Sequence, residues 1–349
     1  MEPPAPAREA ETNALAASVD AALSNAAASD RFAGSVIVVD GGKEVLAKGY
    51  GEANRATQAK NTADTVFCIG SVSKGFTAAA VLALADDGRL KLTDKVAGFF
   101  PEVAPATFAE GGVDVTVHHL LSQSSGLPDP ASTDAFRKAV WFRPIRPTEQ
   151  LEWARGLPMA ATPGSRYRYL NYNYLLAALV VERVSGRPFE QFLRERLLDP
   201  TGVNASTSAR GTDDAVGYRR TGSKLTTLND DPRFTDRDLT FAFGAGQLRT
   251  TVRDLARWDR ALARGAVLTR ASREVMVRPN LEGYGYGWIA ERRRGTTVVW
   301  HNGALSPLGF SALVVRVPDK DRFVAYLANR DIDEVEPLEA KILDLAAAP

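Results

Sequence analysis

The sequence predicts an α/β fold of the α+β type: an antiparallel sheet built from the N- and C-terminal segments, flanked by helices, with a largely helical inserted domain. Segments rich in β-branched and aromatic residues, which are typical of strands, lie towards both ends of the chain. Helical patterns interrupted by Pro and Gly fill the middle. The chain has 349 residues, enough for one large domain or two ordinary ones with a sizeable core.

The N-terminal part supplies the first elements. A flexible tail rich in Pro and Ala is predicted over residues 1–10, and an amphipathic helix runs from Arg8 to about Ala28 because apolar residues recur every four positions. Gly34–Asp40 and Lys43–Gly49, joined by two glycines, predict a β-hairpin. A short apolar segment ahead of Ser71 then opens a helix that ends near residue 88.

The middle and C-terminal parts complete the pattern. Helices are predicted over Val117–Gln123, Pro147–Arg155, Asn173–Val184 and Pro188–Leu198, and from Pro337 to the end. Strands are predicted over Tyr284–Ala290, Thr296–Trp300, Phe310–Val317 and Arg322–Asn329. We therefore expect residues 11–74 and 241–349 to form the sheet domain and residues 75–240 the mainly helical domain, both within a single unit.

Composition excludes several classes of function. The chain carries 43 Lys and Arg against 42 Asp and Glu, a net charge of +1, so no global field recruits nucleic acid or anionic lipid. The longest apolar runs, 78–85 and 174–181, are far shorter than the roughly 20 residues of a membrane-spanning helix. One cysteine and three histidines leave little material for a metal centre. We expect no metal, no cofactor, no nucleic acid and no transmembrane segment.

The N-terminal residues carry neither the basic region nor the apolar region of a signal peptide. Two locations remain open: the cytoplasm, or the periplasm or exterior for a mature chain whose export signal is not part of this sequence. The Pro- and Ala-rich tail slightly favours the second, because such a tail is typical of the linker behind a removed signal.

Ser71 and Lys74 are the first candidate catalytic residues. A Ser and a Lys three positions apart lie on one face of a helix. At the helix start the hydroxyl lies near unpaired backbone N–H groups, and a lysine that loses its proton on desolvation can activate it as a nucleophile. Composition alone predicts roughly half a match to Ser-x-x-Lys in such a chain, so the motif needs support from elsewhere.

Two further motifs give that support. Tyr169 and Asn171 form the single Tyr-x-Asn of the chain, and a phenol beside a lysine can exchange protons with a serine hydroxyl and with a leaving group. The Asn171 amide can orient the lysine or a substrate carbonyl. His301 and Gly303 form a His-x-Gly that is predicted to end an apolar strand, where glycine admits a substrate backbone and the next N–H, of Ala304, can face an oxyanion.

Together, the three motifs resemble the serine β-lactamase and penicillin-recognising superfamily, and most closely its class C-like, esterase-like and DD-peptidase-like branch. That family has Ser-x-x-Lys, Tyr-x-Asn and Lys/His-x-Gly in this order, and the resemblance spans roughly residues 30–330. Further stretches that look like the family are 117–128, 244–258 and 284–288. The resemblance implies a β-lactamase/transpeptidase-like fold with the site between a sheet domain and a helical domain.

The resemblance also implies roles for individual residues. Ser71 is expected to be the acylated nucleophile, Lys74 its activating neighbour and Tyr169 a proton shuttle. Asn171 positions the substrate, and the backbone N–H groups of Ser71 and Ala304 form the oxyanion hole. The implied reaction is hydrolysis, through an acyl-serine, of a small-molecule or short-peptide ester or amide.

Two positions depart from the family pattern. His301 stands where many β-lactamases carry Lys, and Gln123 stands where many relatives carry His. A histidine of ordinary pKa, about 6.5, is mostly neutral at pH 7.5 and attracts a substrate carboxylate weakly, so we expect esters to be preferred over β-lactams. The sequence offers no physical account of Gln123.

Other functions remain as alternatives. A sensor that a β-lactam acylates without turnover needs the same Ser71 and Lys74, and so does a true class C-like β-lactamase. A Ser-His-Asp triad lacks the Gly-x-Ser-x-Gly turn, and metal-dependent hydrolysis lacks a ligand cluster. A scaffold without chemistry is disfavoured because all three motifs are complete. The oligomeric state is left open.

Overall fold

The computed structural model describes residues 5–103, 105–133, 145–154, 156–207, 211–228 and 239–349. Its strands are β1 (Gly34–Asp40), β2 (Lys43–Tyr50), β3 (Glu52–Asn54), β4 (Ala59–Lys60), β5 (Phe67–Cys68), β6 (Ala109–Glu110), β7 (Val113–Asp114), β8 (Arg219–Thr221), β9 (Lys224–Thr226), β10 (Arg249–Thr250), β11 (Ile289–Arg293), β12 (Thr296–Leu305), β13 (Phe310–Val317) and β14 (Arg322–Ala328). The α-helices of the described residues are α1 (Ala5–Ala28), α2 (Ser73–Asp86), α3 (Val117–Leu121), α4 (Pro147–Ala154), α5 (Asn171–Ser185), α6 (Phe189–Leu193), α7 (Val252–Arg264), α8 (Arg270–Met276) and α9 (Ile332–Ala347).

The main sheet joins the two ends of the chain, as predicted. Six antiparallel strands lie in the order β11-β12-β13-β14-β1-β2. The join is the pairing of β1 with β14, which runs from Gly34 opposite Ala328 to Val39 opposite Phe323. Because side chains alternate across a strand, this register fixes which residues of each strand face the site.

One face of the sheet is covered by α1 and α9. Leu15, Val19 and Leu23, spaced four apart on α1, are buried against Val36 of β1 in the same apolar cluster. Full burial of one such side chain stabilises the fold by about 1.5–3 kcal/mol. The opposite face and the helices α2, α5 and α7 share a second, larger cluster, and the candidate site lies on that side.

Several element boundaries differ from the predictions. The first helix begins at Ala5, inside the segment predicted to be a tail, and residues 1–4 lie outside the described residues. The last helix begins at Ile332, because the Asp331 side chain caps it, and Pro337 lies inside it rather than at its start. The helix predicted over Pro147–Arg155 ends at Ala154, and Arg155 lies outside the described residues.

Two predicted strands also have other limits. The predicted strand Tyr284–Ala290 starts only at Ile289, because the Gly-rich stretch before it is irregular and makes a single isolated bridge at Tyr284. The strand with His301 continues to Leu305, so His301 lies within β12 and not at its end. The proposed division of residues 11–74, 241–349 and 75–240 between two domains stays a prediction.

Candidate active site

Ser71 lies on a 3-10 turn, Gly70–Val72, directly ahead of α2. This turn touches β12 through backbone atoms. A Cβ added to Gly303 would lie 2.1 Å from the Ile69 carbonyl oxygen and 3.1 Å from the Ser71 nitrogen. A Cβ added to Gly70, which has φ +51°, would lie 2.8 Å from the Ala304 nitrogen. Both glycines are therefore required for this contact, which brings the Ser71 and Ala304 backbones together.

Lys74 lies one turn beyond Ser71 and is fully buried. Its Nζ donates to Ser71 Oγ at 2.9 Å, to Asn171 Oδ1 at 2.8 Å and to the Ala245 carbonyl oxygen at 2.8 Å. These three acceptors match the three N–H bonds of an ammonium group. None of them is a carboxylate, so the charge of Lys74 is satisfied by neutral oxygens only.

Burial lowers the pKa of Lys74 well below its ordinary value. The cause is loss of water around the ammonium group, which favours the neutral amine. Neutral Lys74 keeps two N–H bonds and gains a lone pair, which can accept a proton from Ser71 Oγ at 2.9 Å. The desolvation that the mechanism requires, and that the sequence did not show, is thus present.

Tyr169 completes the group around the serine. The Lys74 Nζ lies 4.8 Å from the centre of the Tyr169 ring. The residue is 38% exposed, so one side of the ring faces solvent. Its hydroxyl is enclosed, and this burial raises the pKa of Tyr169, while a hydrogen bond to Ser71 opposes the rise. The tyrosine is therefore a neutral phenol beside Ser71.

The Tyr169–Asn171 segment is held from behind by Gln123. The buried side-chain oxygen of Gln123 accepts from the Leu170 backbone N–H at 3.0 Å and from the Asn173 amide at 2.6 Å. Its backbone oxygen accepts from the Arg168 N–H at 2.8 Å. Gln123 thereby fixes the chain on both sides of Tyr169, which gives a physical reason for a polar side chain at this position.

A backbone segment opposite Lys74 was missed by the sequence analysis. Residues 244–248 run along the start of α2, where Thr77 Oγ1 donates to the Gly244 oxygen at 2.6 Å and Ser73 Oγ accepts from the Leu248 N–H at 3.1 Å. The Ala245 carbonyl between them reaches Lys74. Since every residue has a carbonyl group, no side-chain pattern could identify this contact. The sequence showed only that the stretch 244–258 resembles the family.

His301 lies beside Tyr169, with ring centres 6.1 Å apart. Its Nδ1 hydrogen-bonds to the Asn302 carbonyl, which can only accept, so Nδ1 carries the proton. Its Nε2 lies 3.1 Å from the Tyr284 hydroxyl, which then donates to it. Burial, followed by the nearby charge of Lys74, lowers the pKa of His301 to about 3. The ordinary pKa expected from the sequence is therefore wrong, although the expectation of a neutral ring at pH 7.5 agrees with the lowered value.

The structure thus brings Ser71, Lys74, Tyr169 and Asn171 into direct contact, with His301 at the edge of the group and Gly303 and Ala304 against the serine's turn. A serine beside a buried lysine and a phenol is the arrangement of a serine hydrolase. Among the described residues, no group of three or more His, Cys, Asp or Glu side chains is placed to hold a metal ion.

Comparison with known proteins identifies the family. The family model described as Beta-lactamase matches residues 19–348. The chain belongs to the β-lactamase family.

Relatives and solved structures agree with this assignment. Protein flp of Staphylococcus aureus (strain MW2) is 27% identical over 316 residues, which are 87% of this chain and 61% of the relative. The chain therefore spans about three fifths of that protein's length. The octameric penicillin-binding protein homologue from Pyrococcus abyssi is 28% identical, with a TM-score of 0.77 over 89% of this chain and 73% of that one.

A third similarity concerns the fold alone. EstCE1, described as a hydrolase with promiscuous acyltransferase activity, has a TM-score of 0.80 at 19% identity and covers 97% of this chain and 100% of its own. These similarities confirm the predicted α+β fold and its relationship to penicillin-binding proteins. In the described part of the chain, no helix is long and apolar enough to cross a membrane.

Proposed function

We propose that this protein hydrolyses esters or neutral amides through an acyl-Ser71 intermediate. The observation that carries the proposal is the buried Lys74, whose Nζ lies 2.9 Å from Ser71 Oγ without a carboxylate among its hydrogen-bond partners. A lysine so placed is a base for the serine hydroxyl. The roles of the site residues form part of this proposal.

In the acylation step, neutral Lys74 takes the proton of Ser71, and Oγ attacks the substrate carbonyl carbon. The negative charge that develops on the carbonyl oxygen is stabilised by the backbone N–H groups of Ser71 and Ala304. The bond to the leaving group then breaks, and the proton passes from Lys74 through the Tyr169 hydroxyl to the leaving oxygen or nitrogen. Asn171 orients Lys74 and the substrate.

Deacylation reverses these roles. Water attacks the acyl-Ser71 carbonyl carbon and gives its proton to the Lys74–Tyr169 pair, and the same pair returns a proton to Ser71 Oγ as the acid product leaves. The free enzyme is thereby restored, with Ser71, Lys74 and Tyr169 in their starting protonation states. One protein molecule can therefore turn over many substrate molecules.

We propose esters and neutral amides because His301 supplies no charge. Its pKa of about 3 leaves the ring neutral at any pH near neutrality. A cation at this position would add a charge-assisted hydrogen bond to a substrate carboxylate, worth about 1.5–3 kcal/mol. Without it, β-lactams, which carry such a carboxylate, lose more binding energy than neutral esters do.

The decisive experiment combines a substrate panel with intact mass measurement. Short and long p-nitrophenyl esters, D-alanyl peptides and a chromogenic cephalosporin are incubated with the protein, with its Ser71→Ala variant and with Ser73→Ala. Ser73 is a matched control because it lies two residues beyond Ser71, at the start of α2, yet its hydroxyl accepts from the Leu248 N–H. We expect excess product with unmodified protein, no turnover for Ser71→Ala, and turnover with a lower melting temperature for Ser73→Ala.

Two outcomes would contradict the proposal. A stable stoichiometric penicillin adduct without product release would make the protein a β-lactam sensor. An adduct that maps to a serine other than Ser71 would overturn the assignment of the nucleophile.

A further inference from the structure

Two adjoining cavities lie apart from the candidate active site. One has a volume of about 500 Å³ and the other about 290 Å³. They share the lining residues Asp259, Ala263, Arg316 and Pro318, so they lie next to each other beside α7. Neither is lined by Ser71, Lys74 or Tyr169. Cavities that hold small ligands measure about 300–1,000 Å³. Nothing in the proposed hydrolysis uses either one.

The larger cavity has an excess of positive charge. Five arginines and three carboxylates line it. The carboxylates are already paired: Arg316 bridges Asp259 and Asp321, and Arg253 holds Glu44.

Two of the arginines that line the larger cavity have no carboxylate partner among the described residues. Arg257 pairs with Asp254 at 2.7 Å. Arg260 and Arg264, one turn apart on the exposed face of α7, form no ion pair with any described residue. The cavity therefore offers two guanidinium groups to an anion. Guanidinium groups bind carboxylates and phosphates through paired N–H donors.

The smaller cavity is apolar. Beyond the shared residues, its wall is made by Leu262, Met276, Val277, Trp288 and Val299, together with Arg273, whose guanidinium group donates to the Ala263 carbonyl oxygen. Met276 is 2% exposed and Trp288 8% exposed, so the wall belongs to the packed interior. At roughly 30 Å³ for each water-sized group, the space holds an alkyl tail of about eight to ten carbons. An apolar cavity of this size gains free energy when such a tail fills it.

We propose that the joined cavities form a binding site for a single-chain amphipathic anion, an alkyl carboxylate or alkyl phosphate. The head lies between Arg260 and Arg264, and the tail passes Ala263 into the apolar cavity. The site is independent of the proposed hydrolysis. It also adjoins the catalytic helix, because the Trp288 ring lies 3.4 Å from where a Cβ on Gly75 would be.

Trp288 makes the proposal measurable. A tail in the smaller cavity would displace water from the indole and change its fluorescence. Decanoate, octyl phosphate, octanol and inorganic phosphate are titrated separately, below their micelle concentrations, with calorimetry in parallel. We expect saturable binding of decanoate and octyl phosphate. Binding should be at least tenfold weaker for octanol, which has only the tail, and for inorganic phosphate, which has only the charged head. The two amphiphiles distinguish a fatty-acid source from a phosphorylated-lipid source.

Variants locate the ligand. Arg260→Gln and Arg264→Gln each remove one exposed charge and should weaken binding about three- to tenfold. Arg194→Gln, an exposed arginine that lines neither cavity, is the matched control and should bind as the parent does. Ala263→Phe fills the junction and should abolish binding, and Trp288→Phe should remove the fluorescence change while calorimetry still reports binding. Equal affinity of the Arg260→Gln and Arg194→Gln proteins, or no saturable binding of either amphiphile, would overturn the proposal.

Discussion

The Nζ atom of Lys74 lies 2.8 Å from the side-chain oxygen of Asn171, which is a neutral amide and not a carboxylate. The amide holds the lysine in place without stabilising its charge, so the pKa of Lys74 stays well below its ordinary value. A neutral acceptor at this point is what allows a buried lysine to act as a base near neutral pH.

Asn171→Asp should therefore shift the pH dependence of hydrolysis. A carboxylate at this distance raises the pKa of Lys74 by about one to three units, so the acidic limb of kcat/KM against pH should move upwards by that amount. Asn171→Ala removes the contact without adding charge and should lower the rate without an upward shift. Superimposable profiles for parent and Asn171→Asp would show that Lys74 is not the titrating base.

Lys74 and Tyr169 should behave as one unit. Each loss should lower kcat/KM by about 10²–10⁴, the usual contribution of a general base. Since both residues handle the same proton, the Lys74→Ala/Tyr169→Phe double variant should be little worse than the poorer single variant. Steady-state kinetics on one ester suffice. If the kcat/KM losses of the two single variants multiply in the double variant, Lys74 and Tyr169 do not transfer the same proton.

Substrate preference should be insensitive to mild acid. Because the pKa of His301 is about 3, its ring stays neutral between pH 7.5 and 5.5, and the ratio of kcat/KM for nitrocefin to that for p-nitrophenyl butyrate should not rise over this range. His301→Lys should raise the ratio about tenfold, because the lysine would add one charge-assisted hydrogen bond to the carboxylate of nitrocefin. A ratio already above about ten in the parent at pH 7.5 would contradict the ester preference.

Gln123 is a positioning residue, and its replacement should affect kcat more than KM. Gln123→Leu leaves the Leu170 N–H and the Asn173 amide without their acceptor, which should cost about 1–3 kcal/mol for each group and misplace Tyr169. Gln123→Glu retains an acceptor oxygen and should restore much of the rate. A Gln123→Leu protein with normal kcat and only a lower melting temperature would reduce the residue to a structural role.

Glu339 gives a separate test through stability. It accepts a hydrogen bond from Asn302 on β12, and burial raises its pKa to about 7 from an ordinary value of 4.5. The protonated form is favoured in the folded state, so its stabilisation is complete below pH 4.5 and is lost as pH rises through 7. Glu339→Gln should thus stabilise the protein by about 2–3 kcal/mol at pH 8 and by little at pH 4.5. Denaturant unfolding at both pH values measures this, and equal effects would contradict it.

The sequence predicted much of the site because its chemistry lies in side chains with a fixed spacing. Ser71 and Lys74 share a helix face whether the turn is 3-10 or α, and Asn171 begins α5, with Tyr169 two residues before it. The Lys74 contact to the Ala245 carbonyl and the lowered pKa of His301 depend on how distant segments pack. No local pattern contains that information.

The errors in element boundaries have local causes. The last helix, predicted to start at Pro337, starts at Ile332 because the Asp331 side chain caps it there. Glycines broke the strand predicted from Tyr284, and β12 runs on through Gly303 because its neighbour β13 pairs with it there. Glycines and the pairing with the next strand along the chain therefore decided where these strands begin and end.

The backbone contact of Gly303 with Ile69 and Ser71 has a consequence for biosynthesis. Ser71 and Lys74 leave the ribosome well before β12, which lies against the serine's turn, and before β14, which completes the sheet. Pairings between segments so far apart in the chain form slowly, because a long loop must first close. If Ser71 and Ala304 have the roles proposed above, a nascent chain carries its nucleophile without the second N–H of the oxyanion hole until β12 has been made and has docked.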